Sequence, residues 1–226
     1  MDSPTLIQIT PRGFMALLYA DANPQGGFME FRLLPSRKQI WMPFPLWEGH
    51  PDEITLEKLD TKQNLYFGIS IRSSAGQGGR DGCHPTHLLW ADLDLKNSQW
   101  CESKNPELLP AETIREACVV RFEALMGECA VLGLRPRAVT YSGHGLQVYF
   151  ACSVQLSPTE TEAMNKALAR MLEGDSKVYD VARIFRVPGS QNLKNPERPL
   201  TVELWYSDEE AVNSALDLPR ILEPLL

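Results

Sequence analysis

The sequence predicts an α+β fold, and three observations lead there. Between residues 87 and 206, strand-length apolar runs and helical patterns follow the order strand, helix, strand, strand, helix, strand. Both helical stretches carry start signals, Pro110 with Glu112 before the first and Ser157 with Glu160 before the second. The middle strands are separated only by Ser142-Gly143-His144-Gly145, so they read as a hairpin.

Taken in order, residues 28–34 and 39–44 read as short strands, 54–62 as a polar helix, and 64–72 (NLYFGISIR) as a strand. Residues 73–82 (SSAGQGGRDG) have the glycine and serine content of a flexible loop. The run 87–93 (HLLWADL) is continuously apolar and of strand length, which fits a buried strand. Residues 110–132 carry a helical pattern closed by Gly133, and 137–141 with 146–152 form the hairpin. Ser157 and Glu160 make a capping box for a helix ending near Gly174, and 200–206 (LTVELWY) is the last strand. This is the split βαβ order of ferredoxin-like and RNA-recognition-type folds. The expectation is an N-terminal α/β lobe over residues 1–75 packed on a βαββαβ lobe over 76–226. Folds of this kind host many functions, so the function must be read from the site.

A chain of 226 residues suits one domain, or two small lobes sharing a cleft. No apolar run approaches a membrane span, and the N-terminus MDSPTLIQIT lacks the basic-then-apolar layout of a signal peptide, so a cytoplasmic protein with no membrane partner is expected. Five cysteines, an odd number without framework spacing, read as reduced thiols. The net charge of -7 argues mildly against a nucleic-acid binder. It sits well, however, with a site that must itself be acidic to hold divalent cations.

Asp92 and Asp94 carry the first chemical signal. Residues two apart on a strand share a face, with Cα atoms roughly 6–7 Å apart. Two carboxylates aimed together from an apolar strand repel each other and resist desolvation, so a hard cation such as Mg²⁺ or Mn²⁺ belongs between them. The alternative is a strand end with two solvated aspartates. The turn Ser142-Gly143-His144-Gly145 is the second signal. Its glycines let phosphate approach the main chain, and Ser142 and His144 offer a hydroxyl and an imidazole N–H. The plain alternative is a tight turn with an exposed histidine. The third signal is the stretch 180–194, where Asp180, Arg183, Arg186 and Lys194 surround Pro188-Gly189. Asp180 can supply a third metal ligand, with Asp175 as its rival, and the bases can hold phosphates. Surface ion pairing is the other reading of these arginines.

Together, the DxD pair, the SGHG turn and D-x-x-R-x-x-R-x-P-G-x-x-N-x-K resemble the three motifs of the archaeo-eukaryotic primase superfamily. The likeness is to primase-polymerase domains of phages, plasmids and some CRISPR-associated loci. It covers about residues 64 to 206, while 1 to 63 match only in general layout, and Ser190 stands where threonine is frequent. The resemblance implies a primase catalytic core with an RNA-recognition-motif-like lobe. It implies template-directed transfer of dNTPs or NTPs to a 3′-hydroxyl on single-stranded DNA, using two ions of Mg²⁺ or Mn²⁺. The metal ligands would be Asp92, Asp94 and Asp180, and His144 would contact the nucleotide's phosphates. Ser142, Arg183, Arg186 and Lys194 are the further candidates for holding the triphosphate, with Arg72 at the end of its strand as a weaker one. A helicase or primer-stabilising domain in a longer parent chain would be a natural partner.

Two other readings are less well served. A rolling-circle initiator usually needs two histidines flanking one residue and a tyrosine nucleophile, whereas this turn has one histidine between glycines. A non-catalytic RNA-recognition module would show an aromatic, glycine-rich strand signature, and residues 146–150 offer only Tyr149 and Phe150. Cys83-His84-x-x-His87 with Cys101 has the letters of a zinc site, but the spacing fits no standard knuckle and His87 opens a buried strand. The tryptophans, Trp90 and Trp205 among them, are expected in the core rather than stacked on bases.

Overall fold

The computed structural model describes residues 4, 6–20, 26–45, 63–97, 99–101, 103 and 105–214. In chain order the elements are α1 (Pro11–Tyr19), β1 (Phe28–Leu34), β2 (Lys38–Pro43), β3 (Asn64–Gly68) and β4 (Thr86–Asp94). Then come α2 (Ala111–Leu132), β5 (Ala138–Tyr141), β6 (Gly145–Leu156) and α3 (Pro158–Met171). The last are β7 (Ile184–Arg186), β8 (Gln191–Asn192), β9 (Leu200–Thr201) and β10 (Glu203–Ser207). The helix expected at 54–62 lies outside the described residues.

The expected strand-helix-strand-strand-helix-strand order is present as β4, α2, β5, β6, α3 and β10. Its four strands form one antiparallel sheet in the order β10-β5-β6-β4, with the hairpin central. Both helices start and stop on the signals in the sequence. Pro110 caps α2 and Gly133 ends it at φ 72°, a left-handed conformation that glycine adopts without Cβ strain. The reciprocal capping box of Ser157 and Glu160 opens α3.

One face of this sheet presents Leu89, Ala91 and Leu93 to the helices, against Ile114, Cys118 and Leu125 of α2 and Leu168 of α3. The other presents Leu88, Trp90 and Tyr149 to a second antiparallel sheet, ordered β2-β1-β3-β7, and to α1. Phe14 of α1 meets Phe67 and Tyr149 edge-on at ring distances of 5.7 and 5.8 Å. Buried on both faces, β4 reads in sequence as an unbroken apolar run. It is an edge strand, yet its outer edge is covered: Trp90 N–H donates to Asn165 Oδ1 of α3 at 3.0 Å, and Asp92 C=O accepts from Asp175 N at 2.7 Å.

Three elements differ from expectation. Helix α1 was not anticipated, although Thr10 accepts from Gly13 N as its cap and Pro11 stands at its first turn. The strand expected over 64–72 ends at Gly68, where the Arg72 guanidinium and Glu30 pack so closely that a Cβ would meet them. The strand expected over 200–206 is split, since Val202 exchanges backbone hydrogen bonds with Gly189 and Ser190 and sends β9 to pair with β8 while β10 pairs with β5. The boundary at residue 75 also needs correcting. Strand β7 comes from the second half of the chain and joins β3 of the first sheet, in the register Tyr66↔Arg186. Among the described residues no helix is long and apolar enough to cross a membrane.

Candidate active site

Because side chains alternate along β4, Asp92 and Asp94 emerge on the same side as Leu88 and Trp90, toward the other sheet. There the two sheets part into a cavity of about 260 Å³. Its polar lining includes Asp92, Asp94, His144, Arg183, Arg186 and Lys194, and Ser142 also contributes. Seven of the side chains singled out by the motifs, from three separate stretches of chain, thus meet in one cleft.

The acidic wall is short of positive charge. Burial pushes the Asp92 carboxyl up to about 7, and the charges of Asp94 and then Asp175 add to the effect, while Arg183 and Lys96 oppose it. Asp94 pairs with Lys96 Nζ at 3.2 Å. Two carboxylates on one strand face with this surplus of negative charge suit a hard divalent cation. Among the described residues no three His, Cys, Asp or Glu side chains are already gathered into a cage.

The hairpin turn supplies the second wall. Gly143 sits at φ 99°, and a Cβ there would lie 2.8 Å from Asn192 Nδ2, so both conformation and space require glycine. Ser142 donates its hydroxyl to Gly145 O at 3.1 Å, which leaves the oxygen's lone pairs for the cavity. His144 is buried, and its Nδ1 lies 3.2 Å from Asn192 Nδ2. Burial lowers its pKa and Lys194 lowers it further, against the pull of Asp94 and Glu107, so the imidazole is neutral at pH 7.

The third wall is cationic. Arg186 lies over the Tyr66 ring at 4.7 Å and bonds Asn64 Oδ1. Arg183 pairs with Asp180 at 2.7 Å, and its Nε is buried with no hydrogen-bond partner among the described residues. Lys194 reaches Glu107 at 3.5 Å.

Two expected site residues are elsewhere. Arg72 is fully buried outside the cavity, paired with buried Glu30 at 3.2 Å and donating to Cys83 Sγ and to the carbonyls of Val181 and Ala182. It fastens the first sheet to the chain segment before β7 and has no free donor face for a nucleotide. Asp180 does not line the cavity; its carboxylate is engaged by Arg183 on a turn leading to β7. The stretch 181–187 runs to β3 in the other sheet, not back beside β4. Asp175 is likewise outside the cavity lining, but it stands close enough to Asp92 for its charge to raise that carboxyl's pKa. After α3 the chain folds along the edge of β4, and Gly174 is so close that a Cβ would stand 2.9 Å from Asp92 O.

Two site residues escaped the sequence. Gln147 faces Asp92 across β4 and β6, and its Oε1 accepts from Tyr149 Oη at 3.2 Å and Thr140 Oγ1 at 3.4 Å. That leaves its amide N–H groups for the cavity it lines. Tyr66 lines the same space from β3. The only signal for Gln147 was a polar residue inside an apolar strand. The zinc letters do not converge: Cys83 is occupied with Arg72, and His87 Nδ1 faces Cys152 O at 3.2 Å. Trp90 and Trp205 are core residues.

No family model and no curated protein matches the chain. Solved structures do. The archaeo-eukaryotic primase domain of the cyanophage S-2L primase-polymerase superposes with a TM-score of 0.57 at 12% identity, over 92% of this chain and 94% of that one. The catalytic domain of primase RepB′, solved in complex with initiator DNA, superposes at 0.59 and 12% identity, over 96% and 93%. A further structure of primase RepB′ gives 0.55 and 12%, over 95% of this chain and 61% of that one. The fold is therefore that of an archaeo-eukaryotic primase-type domain.

Proposed function

We propose that this chain is a template-directed primase-polymerase, joining dNTPs or NTPs to a 3′-hydroxyl on a single-stranded DNA template. The observation that carries the reading is the cavity itself. A carboxylate pair on β4 faces three cationic side chains and a neutral histidine, inside a fold whose solved neighbours are primase catalytic domains.

Asp92 and Asp94 would hold Mg²⁺ or Mn²⁺, with Asp175 rather than Asp180 as the third acid. When bound, such ions lower the pKa of the attacking 3′-hydroxyl and neutralise charge on the departing pyrophosphate. The chain's own groups bind and orient. Arg183, Arg186 and Lys194 match the charge of a triphosphate, and Arg186 presents a planar fork able to take two phosphate oxygens. His144 donates one N–H to a phosphate oxygen without adding charge, and Ser142, whose hydroxyl proton is held by Gly145 O, keeps lone pairs for a donor such as a nucleotide hydroxyl. The DNA-bound state of the RepB′ neighbour supports a nucleic-acid partner.

The test is incubation with single-stranded DNA, labelled dNTPs or NTPs and Mg²⁺ or Mn²⁺, with and without a primer. Extended products that require metal and template are expected. Template binding with no incorporation under any of these conditions would favour a non-catalytic nucleic-acid-binding protein.

A further inference from the structure

We infer that Asn192 is a positioning residue that locks His144 as the imidazole with its proton on Nε2, aimed into the cavity as a fixed phosphate donor. The inference rests on the nucleotide-binding reading of this cavity, but its core is a statement about protons that can be measured without substrate.

Asn192 is buried at the foot of β8, and all its polar contacts are assigned. Its Oδ1 accepts from Lys194 N at 3.0 Å, and its Nδ2 donates to Ser142 O at 2.7 Å. A backbone N–H can only donate and a carbonyl can only accept, so the amide cannot be turned over. The second hydrogen of Nδ2 then points at His144 Nδ1, 3.2 Å away. Since Nδ2 has nothing to accept with, Nδ1 must be the acceptor, and the ring proton sits on Nε2. The other tautomer, and equally the imidazolium, would set two N–H donors against each other in a buried place. Through Oδ1 the same amide also fixes the backbone at Lys194, so one side chain registers two phosphate-facing groups. The hairpin turn makes room for it, since Asn192 occupies the space a Cβ of Gly143 would need.

The experiment uses the whole chain labelled with ¹⁵N-histidine, and long-range ¹H–¹⁵N correlation at neutral pH reports which ring nitrogen carries the proton. The His144 signals are those missing from a His144→Gln variant. The expected result is an unprotonated Nδ1 and a protonated Nε2 in the wild-type chain. In Asn192→Asp, where a carboxylate faces Nδ1, the proton should move to Nδ1, and KM for nucleotide should rise about tenfold or more with a smaller change in kcat. A wild-type His144 protonated on Nδ1 would overturn the inference and needs no variant to fold. So would an unchanged tautomer in both Asn192→Asp and Asn192→Ala. If the tautomer is as stated but no nucleotide is incorporated, the lock stands and the polymerase reading falls.

Discussion

Asp175 donates its backbone N–H to the carbonyl oxygen of Asp92 at 2.7 Å, which ties the segment after α3 to the edge of the strand bearing both cavity aspartates. The contact carries a charge with it, for Asp175 stands after burial and Asp94 among the causes that raise the Asp92 pKa. From the sequence, Asp175 resembles a solvated acid at a helix end, disfavoured by the helix dipole. Its role depends on the chain turning back at Gly174.

Asp175→Asn should lower Mn²⁺ affinity and metal-dependent nucleotide incorporation about tenfold or more. Asp180→Asn, which removes only a partly exposed partner of Arg183, should stay within a few-fold of wild type. Parallel metal titrations and incorporation assays decide the matter, and a dead Asp180→Asn beside an active Asp175→Asn would restore the assignment made from sequence.

Asp92→Asn should abolish incorporation while making the metal-free chain more stable. Folding raises the Asp92 pKa to about 7 from its ordinary 3.8. A carboxyl whose pKa is raised on folding penalises the folded state once it ionises, so the penalty is absent at pH 4, grows as pH climbs toward 7, and is constant above. The gain from the uncharged amide should therefore be small at pH 4–5 and about 1–3 kcal/mol at pH 8, reduced from the full shift because the side chain is only half-buried. Thermal melts of both chains at pH 5 and pH 8, with chelator present, test it. Equal differences at the two pH values would count against a charged Asp92 as the cause.

Metal binding should itself depend on pH. A carboxyl with a pKa of about 7 must lose its proton to serve as a ligand, so affinity for Mn²⁺ without nucleotide should rise from pH 6 to pH 8 and level off above. Asp94→Asn removes a carboxylate that raises the Asp92 pKa, so the rise should move to lower pH in that variant. Isothermal titration at several pH values reads this directly.

Arg72 gives a prediction of the opposite kind. Replacing it with alanine leaves Glu30 buried without its partner, which typically costs about 3–5 kcal/mol. Arg72→Lys keeps one charge but loses the fork that also serves Cys83, Val181 and Ala182, so it should unfold at lower denaturant. Nucleotide KM measured on the folded Arg72→Lys chain should be unchanged. A raised KM with unaltered stability would return Arg72 to the site.

Much of this molecule is local information. Helices α2 and α3 begin and end on capping residues within the same few positions of the chain, and β4 to β6 are written in runs of apolar residues that need no distant partner to be recognised. The glycines of the SGHG turn and the DxD spacing also announce a site, because a two-residue period puts both carboxylates on one face wherever the strand ends up. What the tertiary structure alone decided is which charges meet. Asp175 and Asp180 are five residues apart and chemically identical, as are Arg72 and Arg186 in kind. Only the path after Gly174 sets one aspartate beside Asp92, and only the pairing of β7 with β3 brings Arg186 to the cavity while Arg72 is sealed against Glu30. The roles of Gln147 and Asn192 could not be read for the same reason: a hydrogen bond's direction is fixed by partners tens of residues away. Secondary structure follows from neighbours in sequence, whereas burial and electrostatic pairing follow from neighbours in space.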